Sequence, residues 1–185
     1  MKLNYKKTIL VGFAFFLISM FWQAYDTLVP KILTDKFGMA QTWPGAIMAL
    51  DNVFAVFLLP LFGNISDRTN SKWGRRTPYI LFGTLAASLF FVLLGYASSL
   101  IVFIILLLLS LLSMATFRSP AVALMPDVTP KPLRSKANAI INLMGTSGGI
   151  IYLLVTTFLY KTNSDVYVSY LPLFIIVGVI MLVSL

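Results

Sequence analysis

The chain of 185 residues contains no cysteine, no histidine and no glutamate, and its six acids are all aspartate. Each absence closes a class of chemistry. Without cysteine and histidine there is no disulfide framework, no thiol redox centre and no zinc or copper site of the usual kind. Without histidine the commonest general base is missing. Charge is scarce as well. Charged residues make up 11% of the chain and hydrophobic ones 59%, whereas a soluble domain carries about 25% charge to wet its surface. Disordered segments are polar and poor in aromatics, and 15 Phe, 8 Tyr and 3 Trp exclude that class. What is left is a polytopic membrane protein. At roughly 20 apolar residues per crossing, the length holds six spans with short loops.

Six apolar stretches lie at about 8–30, 45–66, 78–97, 101–124, 137–160 and 167–185. Runs such as IVFIILLLLSLL lack the period-2 polarity of barrel strands. Backbone groups in lipid must be satisfied within each segment, so helices are expected: one all-α membrane domain of six transmembrane helices. Lys2, Lys6 and Lys7 precede the first stretch. Arg68, Lys72, Arg75 and Arg76 separate the second and third, and Lys131, Arg134 and Lys136 the fourth and fifth. Lys31, Lys36 and Lys161 fall on the opposite side. Positive loops stay inside, which predicts a cytoplasmic amino terminus. The net charge of +8 is then mostly a topology signal, not a nucleic-acid footprint. The first stretch is too long for a signal peptide, carries Asp26 and lacks a small-residue cleavage site, so it is expected to be retained. The last stretch reaches Leu185 without a polar anchor, which suggests a fragment or one half of a larger protein. No organelle-targeting feature is visible, which fits a bacterial plasma membrane. Nothing in the chain asks for a cofactor or a metal.

Several polar residues fall inside these stretches. A charge at mid-membrane costs about 2.5–3.5 kcal/mol on insertion scales, and such residues face water or one another. They are Asp26, Asp51 and Arg118, with Gln23, Asn52, Asn138 and Asn142 at lower cost. At 1.5 Å per residue, Asp26 and Asp51 come to the same level, roughly 5–10 Å outward of the membrane middle. Ser19, Gln23 and Asp26 share one helix face, with Trp22 beside it. Acids and amides bind hydroxyls and an aromatic face stacks on a sugar ring, so Trp22, Gln23, Asp26, Asp51, Asn52 and Asn142 are candidate substrate residues. The alternative is a buried polar network that ties helices together, and Trp22 as an interfacial anchor. Asp26, Asp51 and Arg118 are candidates for cation coupling. Arg118 also lies toward the side of Asp67 and Asp127, as a gate residue or a static ion pair. Gly145 and Gly149 follow Asn138 and Asn142 and permit close helix approach. GTSGG at 145–149 matches the G-x-S-x-G of serine hydrolases, but that chemistry needs a histidine base.

Gly63, Asp67 and Arg68, followed by Gly74, Arg75 and Arg76, form the most specific motif in the chain. It resembles the loop signature of the major facilitator superfamily between helices two and three. KWGRRTP is similar to an element of sucrose/proton symporters and of glycoside–pentoside–hexuronide:cation symporters, with Lys72 in place of the usual arginine. WQAYDTLVP at 22–30, ALDN at 49–52 and FRSPAVALMPD at 117–127 agree. The resemblance implies the amino-terminal six-helix half of a twelve-helix transporter, with alternating access around a midplane site. It implies a sugar substrate, a coupling cation with proton favoured over sodium, a lipid bilayer, and a second six-helix half as partner. It also implies a cytoplasmic gate of Gly63, Asp67, Arg68, Gly74, Arg75, Arg76, Arg118, Asp127 and Arg134. The same fold also serves exporters of drugs or metabolites. A non-transporting half-size membrane protein and a membrane enzyme are the readings from other classes; the missing histidine, cysteine and glutamate weigh against the enzyme.

Overall fold

The computed structural model describes residues 3–40, 42–159 and 170–185. All regular structure there is helical: α1 Tyr5–Asp35, α2 Thr42–Arg68, α3 Thr77–Tyr96, α4 Leu100–Val128, α5 Arg134–Leu159 and α6 Leu171–Val183. A single 3₁₀ turn, Lys131–Leu133, leads into α5. Five of these helices are long and apolar enough to cross a membrane. The expected sixth span is seen as a 13-residue apolar helix, too short to cross alone by the usual length. The expected start of that span, 167–169, the end of the fifth at 160, and the topology residues Lys2 and Lys161 lie outside the described residues.

Local chemistry sets the helix ends. The Asn4 side chain accepts from the Lys7 amide at 3.2 Å and starts α1, satisfying one of the orphan donors of a helix start. Ser99 does the same for α4 through Val102. Pro78 and Pro172 occupy first-turn positions of α3 and α6, where the missing N–H costs nothing. Several helices extend past the apolar stretches because polar ends continue the winding; α4, expected over 101–124, runs on to Val128.

The helices pack around α1 and α4. α1 lies along α5, α3 along α4, α2 against α4 and α3 against α6. Phe21, Phe91 and Phe174 join α1, α3 and α6 in a ring series at 5.0 and 4.8 Å. The α1–α5 seam is tight at Gly12, where an added methyl would overlap the Met144 sulfur, and at Gly148, where it would overlap the Phe16 backbone carbonyl. On α5 the glycines that approach α1 most closely are Gly145 and Gly148 rather than Gly149, because the buried face of α5 runs through Ala137, Ile141, Gly145, Gly148 and Tyr152. Asn138 and Asn142 sit one residue round from it and are exposed.

The chain alternates between two ends. At one, Lys36 after α1 donates to the Ala97 carbonyl after α3 at 2.8 Å, and Tyr170 before α6 donates to Asp35 at 3.0 Å. At the other, the end of α2 and the start of α3 meet the α4–α5 connection.

Candidate functional site

Where α1, α2 and α4 meet, a small pocket of about 20 Å³, room for about one water, is lined by Trp22, Asp51, Phe54, Leu111, Ala115 and Arg118, among others. Trp22 is fixed by its own helix. Its ring meets Phe21 edge-on at 5.6 Å and Tyr25 edge-on at 5.3 Å. The guanidinium carbon of Arg118 stands 5.3 Å from the Trp22 ring centre, within cation–π range. One face of the indole is thus already taken by Arg118. Among the described residues no carboxylate lies within ion-pair distance of Arg118, although Asp51 lines the same pocket. The pocket therefore pairs a cation and an acid that are not engaged with each other.

Asp26 is exposed on α1, one turn beyond Trp22. Asp26 and Asp51 lie close enough to feel each other's charge. Gln23 is half-buried and faces Gly149 of α5. Asn52 and Asn142 are exposed on α2 and α5. Tyr25 escaped the sequence analysis, because a tyrosine in an aromatic run reads as core. It is buried, at 1% exposure, and its hydroxyl has no hydrogen-bond partner among the described residues. It lies within electrostatic range of both Asp51 and Asp26. Trp22 Nε1 is likewise buried and unpaired. A buried unpaired donor costs about 1–3 kcal/mol, and two of them beside two carboxylates suit a ligand rich in oxygen. The signal for Tyr25 was its place: next to Asp26 and one turn from Trp22.

A second polar cluster closes the other end. Arg76 is 7% exposed and holds both acids of that end: Nη2 to Asp67 Oδ1 at 2.6 Å and Nε to Asp127 Oδ2 at 2.6 Å. Nη1 donates to Ser66 Oγ at 3.3 Å. Arg75 approaches Asp127 at 3.8 Å from a mostly exposed position. Gly74, at φ +99°, makes the turn that delivers both arginines, a conformation that favours glycine. Gly63 faces Ser119, whose hydroxyl donates to the Leu59 carbonyl across the α2–α4 seam at 2.7 Å. Arg134 ties the start of α5 to the end of α4, donating to the carbonyls of Pro126 at 3.0 Å and Thr129 at 3.4 Å. Two expected members stand apart. Arg68 is exposed and makes no ion pair among the described residues. Arg118 lies at the Trp22 pocket instead, about two and a half turns before Asp127 on α4. A cluster of ion pairs near balance between desolvation and attraction can form and break at low cost.

The chain matches the family model described as Major Facilitator Superfamily over residues 11–185. It is 37% identical over 59 residues to an uncharacterized symporter of Synechocystis, covering 32% of this chain and 11% of that protein. It is 27% identical over 146 residues to a sucrose transport protein of Arabidopsis thaliana, covering 67% and 24%. It is 32% identical over 82 residues to the glucuronide carrier protein homolog of Escherichia coli, covering 44% and 16%. The matched segments thus span a quarter or less of these relatives.

Proposed function

The chain belongs to the Major Facilitator Superfamily, and on that premise we propose that it forms the amino-terminal six-helix half of a twelve-helix carrier moving a sugar or other glycoside with a cation. One observation carries this function. Asp26, Asp51 and Arg118 lie within the long apolar helices α1, α2 and α4, uncovered or half-covered by the other helices. Such groups face water or a second protein body, never acyl chains. Relatives named as sucrose transporters, symporters and a glucuronide carrier favour a sugar.

In this function the hydroxyls of the sugar take donors from Arg118, Gln23 and Asn142 and acceptors from Asp26 and Asp51. Arg118, held over Trp22, supplies the strongest donor. A proton, favoured over sodium, rides on Asp26 or Asp51. The opposing wall comes from a second six-helix half, and the two halves rock around the site. The Arg76 cluster acts as the cytoplasmic latch, with the amino terminus on the same side. The bilayer is a bacterial plasma membrane, and no chemistry is done on the cargo.

The test is uptake by the full-length carrier in membrane vesicles. Sugar accumulation is expected to collapse with a protonophore and to be lost in Asp51→Asn. Accumulation that survives both would overturn the coupling. Counterflow driven by an amphipathic drug and by no sugar would turn the carrier into an exporter.

A further inference from the structure

We propose that the loop between α2 and α3, with the first turns of α3, is a binding site for an anionic phospholipid. Ser71, Lys72, Trp73, Pro78 and Phe82 line an open groove of about 360 Å³ there. The groove is polar at its loop end and apolar at its helix end. Trp73 and Phe82 stand 66% and 63% exposed, so their rings are offered outward, not packed in the bundle. A turn holds the loop end: the Gly74 amide bonds the Ser71 carbonyl at 3.1 Å, and the Trp73 amide bonds the Ser71 hydroxyl at 3.3 Å.

Charge selects the occupant. Arg76 consumes both acids of this end, Asp67 and Asp127. Lys72 and Arg68 are exposed without an ion pair among the described residues, and Arg75 keeps only a long contact. The loop is therefore left with uncompensated positive charge beside an aromatic ring at the mouth of a membrane helix. Phe82 then opens onto a continuous exposed stripe of α3, through Leu85 and Leu89 to Leu93. These positions recur every three or four residues on one face. A phosphate at Lys72, an indole at headgroup depth and an acyl chain laid from Phe82 along the stripe fill the groove from end to end. A soluble anion would leave the apolar half uncovered.

Native mass spectrometry of the full-length protein, offered equimolar phosphatidylglycerol and phosphatidylcholine, tests this directly. Phosphatidylglycerol is expected to be retained preferentially, and Lys72→Gln to lower that preference about fivefold, the effect of one basic residue at an anionic surface. Trp73→Ala is expected to weaken retention of both lipids without moving the unfolding temperature, since the ring is exposed. Lys6→Gln, basic and outside the groove, is expected to change nothing. Equal retention of the two lipids, or an effect of Lys6→Gln equal to that of Lys72→Gln, would overturn the site. So would displacement of the lipid by an equal concentration of glycerol phosphate, or dissociation of a dimer on Trp73→Ala.

Discussion

Arg118 illustrates how one residue meets two demands. In a membrane helix its charge costs about 2.5–3.5 kcal/mol, and a cation–π contact, about 2 kcal/mol when desolvated, offsets much of that while leaving the N–H donors unspent. Trp22→Phe is expected to keep most sugar affinity. Trp22→Ala is expected to lower it about tenfold or more, read by calorimetry or by sugar-dependent stabilisation. Equal affinities would mean that the ring does not hold the guanidinium. Arg76 meets a different demand, since it is itself buried between two carboxylates. Arg76→Met strands both acids and is expected to destabilise by about 2–3 kcal/mol, short of the value for fully buried pairs because Asp67 and Asp127 are partly wet. Arg68→Met, exposed and unpaired, is expected to stay within about 0.5 kcal/mol. Unfolding midpoints of the two variants check the contrast. The loop motif set Arg68, Arg75 and Arg76 on one footing; their burial and partners separate them.

At the scale of helices, the seams differ in closeness. α1 and α5 meet through Gly145 and Gly148, while the most apolar stretch of α2 buries no residue against the described residues. Small residues allow backbones to touch where lipid supplies no hydrophobic drive between helices. Gly148→Val is expected to push α5 off α1 and destabilise by about 1–3 kcal/mol. Gly45→Ala in α2, with nothing within 4 Å of an added methyl, is expected to be neutral or to stabilise by up to about 1 kcal/mol. Reversed signs in thermal unfolding would mean the seams are misassigned. Five of the six expected crossings, in order, were legible from hydropathy, because each crossing must satisfy its own backbone; the sixth is seen only as a 13-residue helix. The ends were less so. Residues 125–128, which include Asp127, and the polar residues 134–136 read as loop but continue helices, since the Asp127 ion pair and the Arg134 hydrogen bonds hold the chain there.

For the whole molecule, the question is which surface meets lipid. The exposed stripe of α3 is apolar, whereas Asp26, Asn52 and Asn142 are exposed on α1, α2 and α5. A bundle with one polar and one apolar side places the polar side against water or protein. The chain has no cysteine, so single substitutions report accessibility cleanly. In the full-length carrier, Asp26→Cys and Asn142→Cys are expected to react with a hydrophilic maleimide at least about tenfold faster than Leu89→Cys, because thiolate chemistry needs water. Equal rates would mean that the polar face does not meet water, and would overturn the proposed transport function with it.

Composition and hydropathy alone determined that this is a helical membrane protein with acids and an arginine inside its spans, because the bilayer penalises every unsatisfied backbone group and every charge. The Gly63–Arg76 motif pointed to the family. Which charges meet was decided by the fold. Arg118 is separated by nearly a hundred residues from Trp22, and Arg76 by fifty-one from Asp127, so their pairing depends on helix order, rotation and tilt. Periodicity within one helix cannot encode those quantities; they emerge only when the helices pack.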